Sequence, residues 1–331
     1  MNDQAKALWP WVGVHGWKCS LTMNPALDKS TSTHHVTPED KLRCASLRID
    51  PGGGGINVAR AMHQLGGSSL PIYMAGGMNG QALQQQLKTH GVTGYPIPIA
   101  GETRESFTVF EETTTRQYRF NLPGPTLSDA EWQSALATIA AITPRPDYVV
   151  ASGSLPPGVP ENFYVQLAAS VAAWSPRLII DTSGAPLQSL VDEGAPVYMI
   201  KPNLGELAAL VGRELEDDED ILAAAREMLG RCKIEILVVS LGAGGALLIE
   251  GDVATFVRAP TVPIRSKIGA GDSTVAGITL GLMRGLPLVE AVRFGVAAGA
   301  AAVMSPGTGL CNRKDTERLF AQLQREALPT R

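Results

Sequence analysis

Charge is what this chain has least of. Only 18% of its 331 residues are Asp, Glu, Lys or Arg, against roughly 25% in an average soluble domain. The 28 basic and 32 acidic residues nearly cancel, leaving a formal net charge of −4, and no basic block is present. A nucleic-acid partner needs such a block to neutralise phosphates, so that class of function is excluded. Disorder is excluded from the other side of the balance. Some 44% of the residues are hydrophobic, whereas disordered chains are poor in apolar residues and rich in charge. Cysteine is sparse as well. Cys19, Cys44, Cys232 and Cys311 are scattered with no CxxC spacing, which is the pattern of reduced thiols in a cytoplasmic protein. The five histidines show no metal-ligand spacing, and the adjacent His34 and His35 cannot share one helix face, which argues against zinc. Long apolar runs are missing too. Residues 7–17 are broken by Pro10 and lack a basic flank, so they do not make a signal peptide. Residues 288–304 carry Glu290 and Arg293 and stop short of the about 20 clean residues of a membrane span. They read as a buried helix whose Ala297-Ala298-Gly299-Ala300-Ala301 would pack close to a sheet.

Glycine is abundant, with 35 residues beside 23 prolines. The length suggests about two domains, although a single large α/β domain of this size is common, and such a chain can bury a large core. No fixed-period repeat is visible, which sets solenoids and propellers aside. From about residue 145 onward, short apolar runs alternate with helical patterns. Strands are expected at 148–151, 178–180, 197–200 and 236–240, with a helix near 160–174. Three further helices are expected at about 270–285, 288–304 and 312–327. Fully apolar strands bounded by turn residues suit a parallel sheet covered on both faces. The layout is doubly wound α/β, in which ligands bind at the carboxyl ends of the strands. Two segments break this rhythm. Residues 36–50 hold Lys41-Leu42-Arg43 in an extended context, and residues 106–121 alternate around Thr113-Thr114-Thr115 as a hairpin would. They would pair either as a small separate sheet, serving as a lid or dimer contact, or as an edge hairpin of the main sheet.

Five motifs carry chemistry. Pro51-Gly52-Gly53-Gly54-Gly55-Ile56-Asn57-Val58-Ala59-Arg60 places four glycines before a helix start, where backbone can approach a ligand and free N–H groups can meet it. A flexible capping loop is the plainer alternative. The run lacks the Gly-Lys-Ser/Thr of a Walker A loop. The dinucleotide fingerprint also fails, because its third glycine would fall on Asn57 or Val58. Ile268-Gly269-Ala270-Gly271-Asp272-Ser273-Thr274 opens another helix. Its N–H groups would stabilise charge developing on a transferring phosphoryl group. Asp272 would accept a proton from the attacking hydroxyl, or else merely stabilise the first turn. In Lys201-Pro202-Asn203-Leu204-Gly205-Glu206, Asn203 and Glu206 face one point. They suit either Mg²⁺ or a helix capping box. Lys41 and Arg43, two apart, would share one face of a strand, and Arg104 offers a fork for a substrate phosphate. Asp28, in Asn24-Pro25-Ala26-Leu27-Asp28 just past the first strand, would bind sugar hydroxyls or form a turn.

In this order, the motifs resemble the ribokinase-like (PfkB) family of sugar kinases. The resemblance covers about residues 19–327. It also rests on Ser152-Gly153-Ser154-Leu155-Pro156-Pro157-Gly158 and Arg293-Phe294-Gly295-Val296-Ala297-Ala298-Gly299. Within the family the minor ATP-dependent 6-phosphofructokinases are most similar. The resemblance implies a doubly wound, mainly parallel sheet with helices on both faces and a small β-sheet lid. Residues 1–18 would be an extension, containing Trp9, Trp11 and Trp17. Residues 19–331 would be the kinase domain, with lid segments at about 29–50 and 101–123. By the same resemblance Asp272 is the base and Gly269, Ala270 and Gly271 form the anion hole. Asp28, Gly53, Gly54, Asn57 and Ser154 hold the sugar, and Arg104 with Arg43 meets its phosphate. Lys41 and Lys201 contact ATP phosphates, Asn203 and Glu206 organise Mg²⁺, and Ser240, Gly242, Gly244 and Gly245 line the nucleotide pocket. Carbonyls near Ser266, Ile268, Ala302, Ser305 and Gly307 would bind K⁺. The implied partners are a sugar phosphate, ATP and a second copy of the chain docked through the lid, with no membrane. Inhibition by excess MgATP is a further implication. Two departures are visible. Lys267 replaces a small hydroxyl residue and Gly309 an arginine, and a lysine charge there would compete with K⁺. Fructose 1-phosphate and tagatose 6-phosphate are alternative acceptors, and a non-catalytic sugar-phosphate sensor is a distant one.

Overall fold

The computed structural model describes residues 17–327. Of the amino-terminal tryptophans, Trp9 and Trp11 therefore lie outside the described residues, and Trp17 donates its indole N–H to the carbonyl of Arg145. The first half of the chain runs β1 (Lys18–Thr22), β2 (Ala26–Thr33), β3 (Arg48–Gly52), α1 (Gly54–Gln64), β4 (Leu70–Ala75), α2 (Gly77–Thr89), β5 (Tyr95–Pro98), β6 (Arg104–Glu111) and β7 (Gln117–Asn121). Then come α3 (Asp129–Ala141), β8 (Tyr148–Ser152), α4 (Phe163–Val171), β9 (Arg177–Asp181), α5 (Ala185–Asp192), β10 (Val197–Ile200), α6 (Leu204–Val211), α7 (Asp218–Leu229) and β11 (Ile234–Ser240). The chain closes with β12 (Ala246–Glu250), β13 (Val253–Val257), α8 (Ala270–Met283), α9 (Leu288–Val303) and α10 (Arg313–Ala327).

Nine strands form one sheet in the order β13-β12-β11-β10-β9-β8-β1-β4-β5. Every pairing from β11 to β5 is parallel, and β12 and β13 join antiparallel. The pleat sends alternate side chains to opposite faces, and both faces are buried here. Val149, Ala151, Leu178, Ile180, Leu237 and Val239 enter one apolar cluster. Their neighbours Val150, Ile179, Ile236 and Val238 enter another. This double burial is why the strands read as unbroken apolar runs. The antiparallel edge was not anticipated, because β12 follows a glycine-rich turn and is joined to β13 by a tight Gly251-Asp252 turn.

A second sheet has the order β3-β2-β6-β7. The 106–121 hairpin is present, with β6 and β7 antiparallel and Thr115 at a φ of 57° in the turn. The expectation for Lys41 and Arg43 needs correction. They do not lie on a strand, because β2 ends at Thr33, β3 begins at Arg48, and the residues between, exposed apart from the half-buried Val36, form neither strand nor helix. The Lys41–Arg43 stretch has no strand to pair with, so a two-residue spacing there does not place two side chains on one face. Asp28 also sits within β2 rather than in a turn.

The small residues of α9 pack with β12 and β13 of the sheet in one apolar cluster, as the sequence suggests, and the helix also lies close against α8. A Cβ on Gly277 of α8 would lie 2.8 Å from the Gly295 Cα. A Cβ on Gly295 would lie 2.4 Å from Ile278 Cγ1 and 2.8 Å from the Thr274 carbonyl oxygen. That backbone contact cannot be relieved by a rotamer change. Gly295→Ala should therefore lose about 1–2 kcal/mol through overpacking, even though alanine favours a helix by about 1 kcal/mol. A lowered urea midpoint at unchanged slope is the expected measurement.

Candidate active site

The strands β1, β8, β9, β10 and β11 end on one side of the sheet, and their polar ends supply the site. Gly53, at the start of α1, has a φ of 109°. A Cβ on Gly52 would stand 2.1 Å from Asp28 Oδ2, and one on Gly54 would stand 2.3 Å from Ser152 Oγ. The glycine run is therefore a packed helix entry rather than a flexible loop. It is held in part by the Ile56 N–H donating to Thr22 Oγ1 at 2.8 Å. Gly269 starts α8 with a φ of 73° and no side-chain cap, so the first N–H groups of α8 carry no capping side chain. Asp272 does not cap its own helix either. Its Oδ2 accepts from Asn57 Nδ2 at 2.9 Å.

Both helix starts open onto a cleft of about 570 Å³. Its lining includes Asp272, Gly269, Asn57, Gly53, Gly54 and Ser154 from the helix starts and strand ends, and Asp28 from β2. Arg104, Ser106, Thr108, Arg119 and Asn121 of the small sheet line it as well. Register explains the second group. Ser106 pairs with Asn121 and Thr108 with Arg119 across β6 and β7, and Asp28 pairs with Ser106 across β2 and β6. Arg104 is anchored by the Asn24 carbonyl at 3.3 Å, the Leu122 carbonyl at 3.3 Å and Ser106 Oγ at 3.2 Å. Ser154 Oγ accepts from Asn24 Nδ2 at 3.1 Å.

Burial pushes the Asp272 carboxyl up to about 6, and the nearby Asp181 charge adds to that push. The Asn57 hydrogen bond and Lys201 pull it back. Burial also raises Asp28 to about 6, against the opposing charges of Arg104 and Arg60. Lys201, only 5% exposed, pairs with Asp181 at 3.1 Å. Burial opposes its charge, yet Asp181 holds its proton more firmly than in an ordinary lysine. A Cβ on Gly271 would be 3.7 Å from Lys201 Nζ, so this ammonium lies directly against the first turn of α8.

Asn203 and Glu206 form a capping box. Asn203 Oδ1 accepts from the Glu206 N–H at 2.9 Å, and Glu206 Oε2 accepts from the Asn203 N–H at 2.8 Å. Of the two alternatives that the spacing left open, the cap is the one made. Among the described residues no three His, Cys, Asp or Glu side chains gather as a metal cluster. Asn203 bridges to Ser240, whose N–H donates to the Pro202 carbonyl at 2.9 Å. A 3₁₀ turn, Gly242–Gly244, follows with Gly245 at a φ of 102°. This second polar ledge lies at the ends of β10 and β11, outside the cleft lining, with Lys201 between the two. The Val303 carbonyl accepts from the Arg265 and Ser266 N–H groups, and the Ala302 carbonyl accepts from the Ser305 N–H. The segments holding Ser266, Ile268, Ala302, Ser305 and Gly307 are thereby brought together beside Gly269, with Lys267 exposed. Lys41 and Arg43 are exposed and do not line the cleft.

Four residues of this arrangement escaped the sequence reading: Asp181, Arg119, Asp50 and Thr308. Asp181 ends β9 just before a Thr-Ser-Gly turn, the position that marked the other strand-end residues. Arg119 alternates with Asn121, a period-two signal of a shared face. Asp50 and Thr308 lie 258 positions apart and meet only in the fold.

The match to known proteins follows this geometry. Residues 20–315 fit the model of the pfkB family carbohydrate kinases, and the chain belongs to that family. The ATP-dependent 6-phosphofructokinase isozyme 2 of Mycobacterium tuberculosis (strain ATCC 25618 / H37Rv) is 48% identical over 301 residues, covering 91% of this chain and 88% of that protein. The crystal structure of phosphofructokinase-2 from Escherichia coli in complex with fructose-6-phosphate is similar at a TM-score of 0.87 and 40% identity, covering 94% of this chain and 100% of that one. The same enzyme in complex with potassium is similar at a TM-score of 0.88, again at 40% identity and with coverage of 94% and 100%.

The raised Asp272 carboxyl sets the sign of a stability effect. A carboxyl that ionises near 6 in the folded chain and near 3.8 in the unfolded one stabilises the fold below pH 4, and that contribution is lost as pH rises through 6. Asp272→Asn should therefore raise Tm at pH 7.5, by about 1–2 kcal/mol in stability. The gain should vanish near pH 4, which calorimetry across that range will check.

Proposed function

We propose that this chain is an ATP-dependent 6-phosphofructokinase, which transfers the γ-phosphoryl group of ATP to the 1-hydroxyl of fructose 6-phosphate, giving fructose 1,6-bisphosphate and ADP. The observation that carries the reading is one cleft lined both by Asp272 at a helix start and by Arg104 and Arg119 of the small sheet. The sugar lies between them, its phosphate on the two guanidinium groups and its 1-hydroxyl toward Asp272. Asp28, Asn57, Gly53, Gly54 and Ser154 hold its hydroxyls. Asp272, ionised at neutral pH yet basic enough to accept a proton, takes the hydroxyl proton as the phosphorus–oxygen bond forms. The N–H groups at Gly269, Ala270 and Gly271 and the Lys201 ammonium stabilise the charge on the transferring group. ATP then occupies the ledge of Lys201, Asn203, Ser240, Gly242, Gly244 and Gly245.

Asn203 and Glu206 fit Mg²⁺ only through water, because their capping box occupies one oxygen of each. Glu206 keeps its second oxygen for a water of that shell, and the ion would neutralise phosphate charge. The backbone of the segments near Ser266, Ile268, Ala302, Ser305 and Gly307, brought together beside Gly269, would supply carbonyls to a monovalent cation such as K⁺. Exposure of Lys267 keeps its charge in water and away from them. Arg43 accepts from Thr33 Oγ1 through its carbonyl at 3.2 Å, and the exposed Lys41 and Arg43 side chains stand outside the cleft lining. Reduced thiols and the use of ATP fit a cytoplasmic location.

Asp272→Asn should keep ATP binding while turnover falls by about a thousandfold or more. Near-normal ADP release would refute the base assignment. Comparing kcat/KM for fructose 6-phosphate, fructose 1-phosphate and tagatose 6-phosphate decides the acceptor. Arg119→Met should raise KM for the sugar phosphate well above any change for ATP.

The lid sheet also carries the proposed homodimer contact. Phe120 is 54% exposed and pairs with Phe107 on the face turned away from Arg119 and Asn121. Leu42 and Leu47 lie exposed nearby in sequence to β3. Phe120→Glu should convert a dimer to a monomer in light scattering, and an unchanged mass would count against this surface.

A further inference from the structure

We propose that Arg60 is a positioning residue, which fixes the direction of the Asn57 amide and thereby the hydrogen bond that Asp272 receives. The inference rests on the reading of Asp272 as base. Asn57 and Arg60 are three apart on α1, and so are neighbours on its surface. The two ends of an amide have nearly the same shape, so only hydrogen-bond partners decide which way it points. A guanidinium has donors and no acceptor. Arg60 Nη1 donates to Asn57 Oδ1 at 3.2 Å, which leaves Nδ2 to donate to Asp272 Oδ2 at 2.9 Å. The flipped amide would set donor against donor at Arg60 and acceptor against acceptor at Asp272.

Arg60 is itself held in place. It is 3% exposed, donates to the Pro51 carbonyl at 2.6 Å and meets Asp50 Oδ1 at 3.4 Å. Asp50 is bound in turn by Arg48, by His90 and by Thr308 Oγ1 at 2.5 Å. Arg60 does not line the cleft, so its contact with the reacting groups runs through Asn57. The charged and polar groups that act on Asp272 are Asp181 from β9, Lys201 following β10, Asp28 from β2, and Asn57 and Arg60 from α1. Removing Arg60 frees the amide to turn and also deletes a cation that acts at longer range. A lysine keeps the charge and a donor.

The test is the pH dependence of kcat for Arg60→Met and Arg60→Lys, each made with Asn57 intact and with Asn57→Ala. Arg60→Met should lower kcat about ten- to a hundredfold. It should also move the acid limb up by about one pH unit, leaving KM for ATP nearly unchanged. Arg60→Lys should recover most of both effects. On the Asn57→Ala background, Arg60→Met should add little. An acid limb that stays in place in folded Arg60→Met overturns the proposal, as does an equal shift on both backgrounds. Arg60→Gln, which can donate or accept and so no longer dictates the amide, faces the same two outcomes where the Met variant does not fold. An active Asp272→Asn would sink the base assignment itself. An inactive one beside an unmoved Arg60→Met profile sinks only this inference.

Discussion

The site depends on keeping a carboxylate ionisable where burial opposes its charge. Asp272 sits in the first turn of α8, half-buried, within reach of the negative field of Asp181. Alone, such a group would hold its proton through neutral pH. The Asn57 hydrogen bond opposes this, and so do two positive influences. One is the free amino end of α8, whose N–H dipoles favour negative charge. The other is Lys201, buried against the same turn and paired with Asp181. The pair does more than either member. An unpaired Asp181 would push Asp272 further up, and an unpaired Lys201 would be costly to bury. The balance leaves a carboxyl near 6, a value useful to a base working at neutral pH.

Parallel β-strands make that balance possible. Asp181 ends β9 and Lys201 follows β10, and the two strands are neighbours, so their ends lie side by side about 4.8 Å apart. Helix α8 reaches the same place from the end of the chain because it lies tight against α9, glycine to glycine. A bulkier contact would lift α8 and carry Asp272 away from Lys201 and Asn57 together. Part of the glycine content therefore serves the site indirectly, through helix packing, and part directly, at Gly52 and Gly269.

Strands buried on both faces were legible because burial of both sets of side chains erases alternation. The same rule shows why β12 was missed, since its apolar residues follow a glycine turn with no polar boundary. The 106–121 hairpin was legible from its threonine turn. Residues 34–47 misled because two basic residues two apart look like a strand face wherever they occur, and nothing local says whether a partner strand is present. Asn203 and Glu206 show a different limit. Their spacing suits a cap and a metal equally well, and the distances show the cap while leaving one Glu206 oxygen outside it. Asp50 could not be found at all, because its meaning comes from Thr308 and Arg60, which only the folded chain brings to it.

Asp50 shows how the small sheet is tied to the rest of the molecule. It belongs to β3, is 1% exposed, and is shared by a strand neighbour, a helix side chain and the loop after α9. Burial alone would raise its carboxyl, yet the hydrogen bonds of Arg48 and Thr308 and the charge of Arg60 hold it below the ordinary range. It therefore stays an anion where Asp272 titrates, and the tie does not loosen there. The two acids differ for a physical reason. Asp50 is surrounded by donors and stays charged, whereas Asp272 has one amide donor, a like charge nearby and an open cleft. A group so incompletely satisfied weakens the fold and is ready to take a proton, and such exceptions to local consistency are expected at functional sites.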